Sequence, residues 1–238
     1  MLFMKKLILL CIIIPHIAVA QSIGDYLSPA YPTGLVASAD GNTIAWVFND
    51  KGSRNIYTAS SPSFIAKKIT SYNGDDGMDI NSLQFTPDSK ELLFIRGNGN
   101  NNKGEPANPA FLQTSTARTT WIVKPDGSNF WKLTTGSGFK ISPDGKMLAY
   151  TSGGQVWTSS LIDTSVKPQQ LFQSRGSQSQ LRWSPDGSML AFVSSRDDHS
   201  YIGIYNFSNK TVDYTETSVD NDTYPTWSPD GKQLAYLR

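Results

Sequence analysis

The chain has 238 residues, with 21 lysines and arginines against 20 aspartates and glutamates and a formal net charge of +1. This balance excludes the dense positive charge of a nucleic-acid-binding protein, so we expect no nucleic-acid partner. A single cysteine, Cys11, excludes a disulfide framework.

Residues 1–20 have the pattern of a cleaved signal peptide. Two lysines precede an apolar run, and Ala18-Val19-Ala20 is a small-residue cleavage pattern before Gln21. The apolar run is shorter than the roughly 20 residues that span a membrane as a helix. We therefore predict an exported protein, periplasmic or secreted, that folds from residues 21–238 and has no membrane segment after cleavage. An uncleaved anchor is the alternative.

A short motif occurs five times in the rest of the chain. Each copy has an Asp with Ser or Thr two residues before it, Pro directly before it and Gly directly after it, then an aliphatic, a small or aliphatic and an aromatic residue. Two copies depart from this pattern, with Ala39 in place of Pro and Ser89 in place of Gly. The five aspartates are Asp40, Asp88, Asp144, Asp186 and Asp230.

Each motif predicts a tight turn between two strands. Pro presets φ, Asp bonds nearby backbone N–H groups and Gly tolerates a positive φ. Leu181 and Trp183, which alternate before the fourth turn, have the period of a strand. We therefore assign the aspartates to structural turns and expect valine at Gly187 to be strained but scarcely felt at Ser89.

The motif spacing predicts an all-β fold, a β-propeller. The aspartates are 48, 56, 42 and 44 residues apart, which fits blades of about four strands. Phe85, Trp183 and Trp227 occupy one repeat position and are expected in the core. The fifth blade has two strands, so about four and a half blades form an incomplete ring. The predicted blades are 35–70, 83–135, 139–172, 181–217 and 224–238.

An insertion interrupts the second blade. Gly97 to Thr116 is rich in Asn, Gly and Pro and fits no strand pattern. Insertions of this length are usually functional loops or disordered segments. Either a flexible loop or a loop that frames an opening is compatible with this composition.

No catalytic set can be assembled from the sequence. There is no Gly-x-Ser-x-Gly elbow. His199 is the only histidine after residues 1–20, and the sequence indicates no nucleophile for it to activate. It is either a structural loop residue or part of a site. Asn73, Asp75, Asp76 and Asp79 do not match the spacing of a calcium loop, so they form a solvated turn or an ion site. We expect no catalytic, metal or cofactor site in this chain.

The repeated unit resembles the propeller repeats of TolB-like periplasmic proteins and of the prolyl oligopeptidase family. Blade-specific strings are similar to exported bacterial serine peptidases of dipeptidyl-peptidase type in that family: Pro32 to Ser38, Ile44 to Asn49, Arg54 to Tyr57, Gly153 to Thr158 and Phe192 to Ser200.

The resemblance implies an N-terminal propeller that caps an α/β-hydrolase domain carrying Ser, Asp and His. We expect that domain beyond Arg238, so that this chain is a truncated part whose partner is a peptide substrate. Arg196 and His199 are weak candidates for the substrate side. No adjacent Glu-Glu pair occurs, so binding of a substrate amino terminus cannot be carried over from dipeptidyl-peptidases.

Three functions stay open on the sequence. The first is the propeller of an exported serine peptidase, which gates or positions peptides for the hydrolase domain. The second is a self-contained periplasmic TolB-like binding or scaffold protein. The third is a carbohydrate-binding or lyase-type propeller.

Overall fold

The structure is a computed structural model that describes Ile23 and residues 30–101, 105, 107–109, 111–113, 116–163 and 165–238. Every element from residue 30 onward, within this described part, is a strand. The strands are β1 Tyr31–Ala37, β2 Thr43–Asp50, β3 Ser53–Ser60, β4 Lys67–Lys68, β5 Ile80–Phe85, β6 Leu92–Arg96, β7 Thr119–Val123, β8 Trp131–Thr135, β9 Ser137–Ile141, β10 Met147–Ser152, β11 Gln155–Ser160, β12 Gln169–Gln170, β13 Ser177–Trp183, β14 Met189–Ser195, β15 Ser200–Asn206, β16 Thr211–Tyr214, β17 Thr223–Trp227 and β18 Leu234–Leu237.

The strands form five antiparallel sheets that follow the chain. Four sheets have four strands each, β1 to β4, β5 to β8, β9 to β12 and β13 to β16, and each pairs its strands in sequence order. The fifth sheet consists of β17 and β18. The first strand of one blade packs beside that of the next, as β1 does with β5 and β13 with β17. This is the predicted all-β propeller with an incomplete ring.

The first strands begin up to four residues before the predicted blade starts. β1 begins at Tyr31 rather than Leu35, and β13 at Ser177 rather than Leu181. The alternation of apolar residues marks only the part of each first strand that follows an irregularity in its pairing. The predicted signal peptide lies outside the described residues. Nothing in the described part of the chain is a helix with the length and apolarity to cross a membrane.

The hydrophobic core lies between the blades. β6 has a continuous apolar run from Leu92 to Ile95, and all four side chains are buried. Leu92 and Phe94 join a cluster with the first blade, whereas Leu93 and Ile95 join a cluster with the third blade. A strand that is covered on both faces has no polar side, so the run does not alternate.

Each first strand contains one residue in the left-handed region, six positions before the motif aspartate. These residues are Gly34 (φ 64°), Ser82 (57°), Gly138 (63°), Gln180 (50°) and Tyr224 (56°). The strand pairing shifts register at the same places, as expected of a β-bulge.

The three aromatic residues at this repeat position differ in burial. Phe85 is buried as predicted, and Trp183 is partly buried and packs against the core cluster between the third and fourth blades. Trp227 is only partly buried, which corrects the core prediction for it. Each of these tryptophans donates its indole N–H to a backbone carbonyl of the preceding blade, Trp183 to Lys140 at 3.0 Å and Trp227 to Arg182 at 3.1 Å. An indole N–H keeps a polar partner, so the rings bridge the blades instead of being enclosed.

Candidate functional site

The motif aspartates lie in turns at one end of the blades. In all five turns the Ser or Thr hydroxyl donates to the Asp Oδ1 at 2.5–2.7 Å. The backbone N–H two residues after the Asp donates to the same oxygen at 3.0–3.2 Å. These bonds favour the charged carboxylate, and the serine bond is the largest cause that lowers the pKa of Asp186 to about 2. The carboxylates therefore close turns.

The upper face is the opposite end of the blades. Because the sheets are antiparallel meanders, the turns between second and third strands and the links between blades lie there. The upper face holds the candidates Arg196 and His199, in the turn between β14 and β15. It also holds the described ends of the insertion.

Arg196 and His199 share a cleft of about 450 Å³. Its other lining residues are Arg175, Gly176, Asp197, Asp198 and Tyr201. His199 Nδ1 lies 2.5 Å from Asp198 Oδ1, and its ring centroid lies 4.7 Å from that of Tyr201. No hydroxyl or thiol of the described residues is hydrogen-bonded to His199, so the structure does not bring a nucleophile to this histidine.

A second cleft, of about 550 Å³, lies between the second and third blades. Asn100, Thr116 and Arg118, at the described ends of the insertion, form one wall. The link Thr135 to Ser137 and the turn Thr151 to Gly153 form the others. The described ends of the insertion thus frame an opening on the upper face, one of the two alternatives that the sequence left open.

The acidic residues before β5 are engaged with arginines. Arg54 contacts Asp75 and Asp79, each at 3.3 Å, and Arg96 is paired with Asp76. These pairs connect the first and second blades. Within the described residues, no group of three or more His, Cys, Asp or Glu could hold a metal ion. The acidic side chains here act as partners for cations of the protein itself.

Two features of the upper face were missed from the sequence. Arg238 pairs with Asp222, whose side chain is fully buried, at 2.9 Å. Arg96 and Arg238 occupy the same place, eight residues after their motif aspartates, and each holds an acid from the link into its own blade. The equal distance of the two arginines from their motif aspartates could have indicated a shared role. Asp76 and Asp222 lie at different distances from those aspartates, so the sequence does not indicate them as the partners.

Curated relatives of two kinds match the chain. Dipeptidyl-peptidase 5 of Porphyromonas gingivalis is 26% identical over 208 residues, which are 84% of this chain and 28% of that protein. The Tol-Pal system protein TolB of Francisella tularensis subsp. mediasiatica is 24% identical over 233 residues, 93% of this chain and 47% of that protein. The chain spans less than half the length of these relatives.

Solved structures of both kinds share the fold. TolB from Acinetobacter baumannii matches with a TM-score of 0.54 at 20% identity. The match covers 86% of this chain and 48% of the TolB chain. A putative dipeptidyl aminopeptidase IV from Bacteroides ovatus has a TM-score of 0.63 at 12% identity, with 85% and 36% covered. At these identities the likeness shows the fold alone.

A family model for the TolB beta propeller domain matches residues 111–238, just over half of the chain. The matched part includes three of the five motif turns and all of the last three sheets. The chain belongs to the TolB beta propeller domain family.

Proposed function

We propose that this chain is the propeller portion of an exported serine peptidase of the prolyl oligopeptidase family. In this proposal it gates or positions peptide substrates for an α/β-hydrolase domain supplied outside residues 1–238. The observation that carries the proposal is the 26% identity to dipeptidyl-peptidase 5 over 84% of the chain. The 208 matched residues are far more than the five turn motifs contain, so a shared turn motif alone does not account for the match.

The shape of the upper face supports a role on the substrate side. Two clefts open there, and the one with Arg196 and His199 is lined by charged and aromatic side chains that can contact a peptide. His199 is held by Asp198 without a nucleophile among the described residues. These groups therefore position a substrate, and the nucleophile and its base come from the hydrolase domain.

The test is serine-directed labelling of the gene product as it occurs in cells. Cells are treated with a fluorophosphonate probe, and an antibody against residues 30–238 recovers the polypeptide. We expect a labelled polypeptide longer than 238 residues, whereas the 238-residue chain expressed by itself stays unlabelled because its described residues contain no nucleophile–base pair. An unlabelled gene product, beside a labelled serine hydrolase in the same cells, would contradict the proposal.

Export is the second part of the proposal. It rests on the charged, apolar and small-residue segments of residues 1–20. We expect the exported protein to begin at Gln21, which intact-mass or N-terminal peptide analysis of material from outside the cytoplasm measures. Retention of residues 1–20 in that material would contradict cleavage.

The alternative is a self-contained TolB-like binding or scaffold protein. The match to the Tol-Pal system protein TolB over 93% of the chain favours it. An unlabelled gene product of 238 residues or fewer, recovered in a stable complex with another exported protein, would support this alternative over the peptidase.

A further inference from the structure

Three arginines of the upper face are neutralised by acids of the chain. Arg54, Arg96 and Arg238 each form an ion pair. The cleft of Arg196 and His199 also contains Arg175. Arg175 precedes β13 and Arg196 follows β14, and neither forms an ion pair with any described residue. Two cations therefore line one cleft without forming an ion pair with any described residue.

The guanidinium of Arg196 is fixed in place although it is unpaired. Its Nη1 is enclosed by protein atoms and has no hydrogen-bond partner among the described residues, whereas its other nitrogens are not enclosed. Nη1 lies against Gly176, where an added Cβ would stand 2.8 Å from Nη1 and 2.0 Å from the carbonyl oxygen of Ser195. Gly176, at φ +75°, thus permits a close approach that no other residue type allows.

The loop that carries Arg175 and Gly176 is tied to the third blade. Gln155 donates to the carbonyls of Ser174 and Gly176 at 3.0 and 3.1 Å and accepts the N–H of Ser174 at 3.0 Å. The backbone that carries Arg175 is therefore held by the third blade, and Arg196 lies in the turn between β14 and β15.

The acidic side chains of the cleft limit the charge of a ligand. The Asp198 carboxylate is hydrogen-bonded to the His199 ring, and Asp197 is exposed in the same turn. The two arginines attract an anion, whereas the two carboxylates repel added negative charge. A ligand with one negative charge is therefore favoured over a dianion such as phosphate. The planar fork of a guanidinium matches a carboxylate with two parallel hydrogen bonds.

We propose that the cleft of Arg175, Gly176 and Arg196 binds a carboxylate of a peptide, with Arg196 as the principal contact. The choice of a peptide rests on the proposed function. The carboxylate comes either from the C-terminus or from an Asp or Glu side chain, and both present the same planar monoanion.

Direct binding to the full gene product, after fluorophosphonate treatment, tests this inference. The probes are three hexapeptides with a neutral BODIPY dye on the amino terminus: hexaalanine with a free carboxylate, hexaalanine amide, and the amide with one Glu. Fluorescence anisotropy measures their affinities. We expect the uncharged amide to bind at least tenfold more weakly than one of the charged peptides, and that peptide identifies the source of the carboxylate.

The variants assign the binding to Arg196. Arg196→Gln should weaken the charged peptide roughly tenfold to a hundredfold, the range for hydrogen bonds to charged groups. Arg196→Lys should lose part of the affinity for the charged peptide, because lysine keeps the positive charge but cannot donate two parallel hydrogen bonds. Arg182→Gln, in β13 and outside both clefts, is the control and should change nothing. Circular dichroism and thermal unfolding verify that each variant is folded.

Equal affinity for the three peptides, binding of none, or charged-peptide binding that survives both substitutions at Arg196 would overturn the inference. Its outcome is separable from that of the proposed function. Carboxylate binding through Arg196 in an unlabelled gene product would support this site while the peptidase proposal fails. A labelled gene product with binding unaffected at Arg196 would do the reverse.

Discussion

The motif aspartates illustrate how one side chain organises a turn. The Asp carboxylate accepts the Ser hydroxyl two residues before it and the backbone N–H two residues after it. The Ser hydroxyl in turn accepts the N–H five residues after it, as with Ser184 and Met189 at 2.9 Å. The pKa of each motif aspartate is lowered, first by this hydroxyl. Stability should therefore depend on their ionisation.

Acid should unfold the propeller partly through these carboxylates. An Asp whose pKa is lower in the folded state stabilises the fold above its unfolded value of 3.8, and this contribution is lost as the pH falls toward the folded value, about 2 for Asp186. Asp186→Asn should lower the thermal midpoint at pH 7 and flatten its fall below pH 4. Asp213→Asn, whose carboxylate accepts no hydrogen bond in the described part, is the control. Parallel curves for wild type and Asp186→Asn would contradict this assignment.

The residue after the motif aspartate needs a positive φ in both forms of the turn. Gly187 has φ +73°, and Ser89, which replaces glycine, has φ +62°. This contradicts the reason for expecting valine to be scarcely felt at Ser89, because the missing glycine did not change the backbone. Gly187→Val and Ser89→Val should each destabilise the fold by about 1–3 kcal/mol in urea unfolding. A loss at Gly187 alone would mean that the second turn relaxes.

At the scale of the strand, the inter-blade tryptophans have a measurable role. Trp183→Phe keeps a ring beside Phe207, its stacking partner at 5.0 Å, but leaves the carbonyl of Lys140 without its donor. We expect a loss of about 1–2 kcal/mol in free energy of unfolding from this bond. Trp131→Phe, whose indole makes no hydrogen bond among the described residues, measures the effect of ring size alone. Equal losses for the two variants would show that the bond contributes nothing.

The strands were predictable where the repeat determines them. Turn chemistry and apolar runs gave the hairpins after each motif, since Pro, Asp and Gly act locally. The bulge in each first strand was not predicted, because Gly34 and Gly138 indicate it in two copies whereas Ser82, Gln180 and Tyr224 hide it. A contact between blades joins two of these residues, since Gln180 Oε1 accepts the N–H of Tyr224 at 2.7 Å.

The site was less predictable than the fold. Arg196 and His199 were candidates through a resemblance, and the sequence says nothing of which arginines find acids. Arg54 pairs with aspartates more than 20 residues away, and Arg196 stays unpaired beside two neighbouring aspartates. Such outcomes depend on how the links between blades fold over the upper face, which no local pattern encodes.

Across the whole molecule, the motif turns form a continuous series around the ring. The Gly of one turn faces the Pro of the preceding blade's turn, with a Cβ position 3.4–3.5 Å from the proline ring. These pairs are Gly145 with Pro87, Gly187 with Pro143 and Gly231 with Pro185. Between the first and second blades, Ala39 stands in place of the Pro and Ser89 in place of the Gly. There the Ser89 hydroxyl accepts the N–H of Asp40, at 3.2 Å, the residue that follows Ala39.

The two departures from the repeat should therefore be coupled, and a double-mutant cycle measures this. Ser89→Gly alone removes the bond to Asp40, with a loss of about 0.5–1.5 kcal/mol that relief of the positive φ partly offsets. Ala39→Pro alone places a proline ring against the Ser89 side chain. The double variant recreates the Pro–Gly contact of the other blades, so its free energy of unfolding should exceed the sum of the single effects by about 0.5 kcal/mol or more. Urea unfolding gives the four values. Additivity within about 0.3 kcal/mol would mean that Ala39 and Ser89 are independent and that neighbouring turns do not stabilise one another.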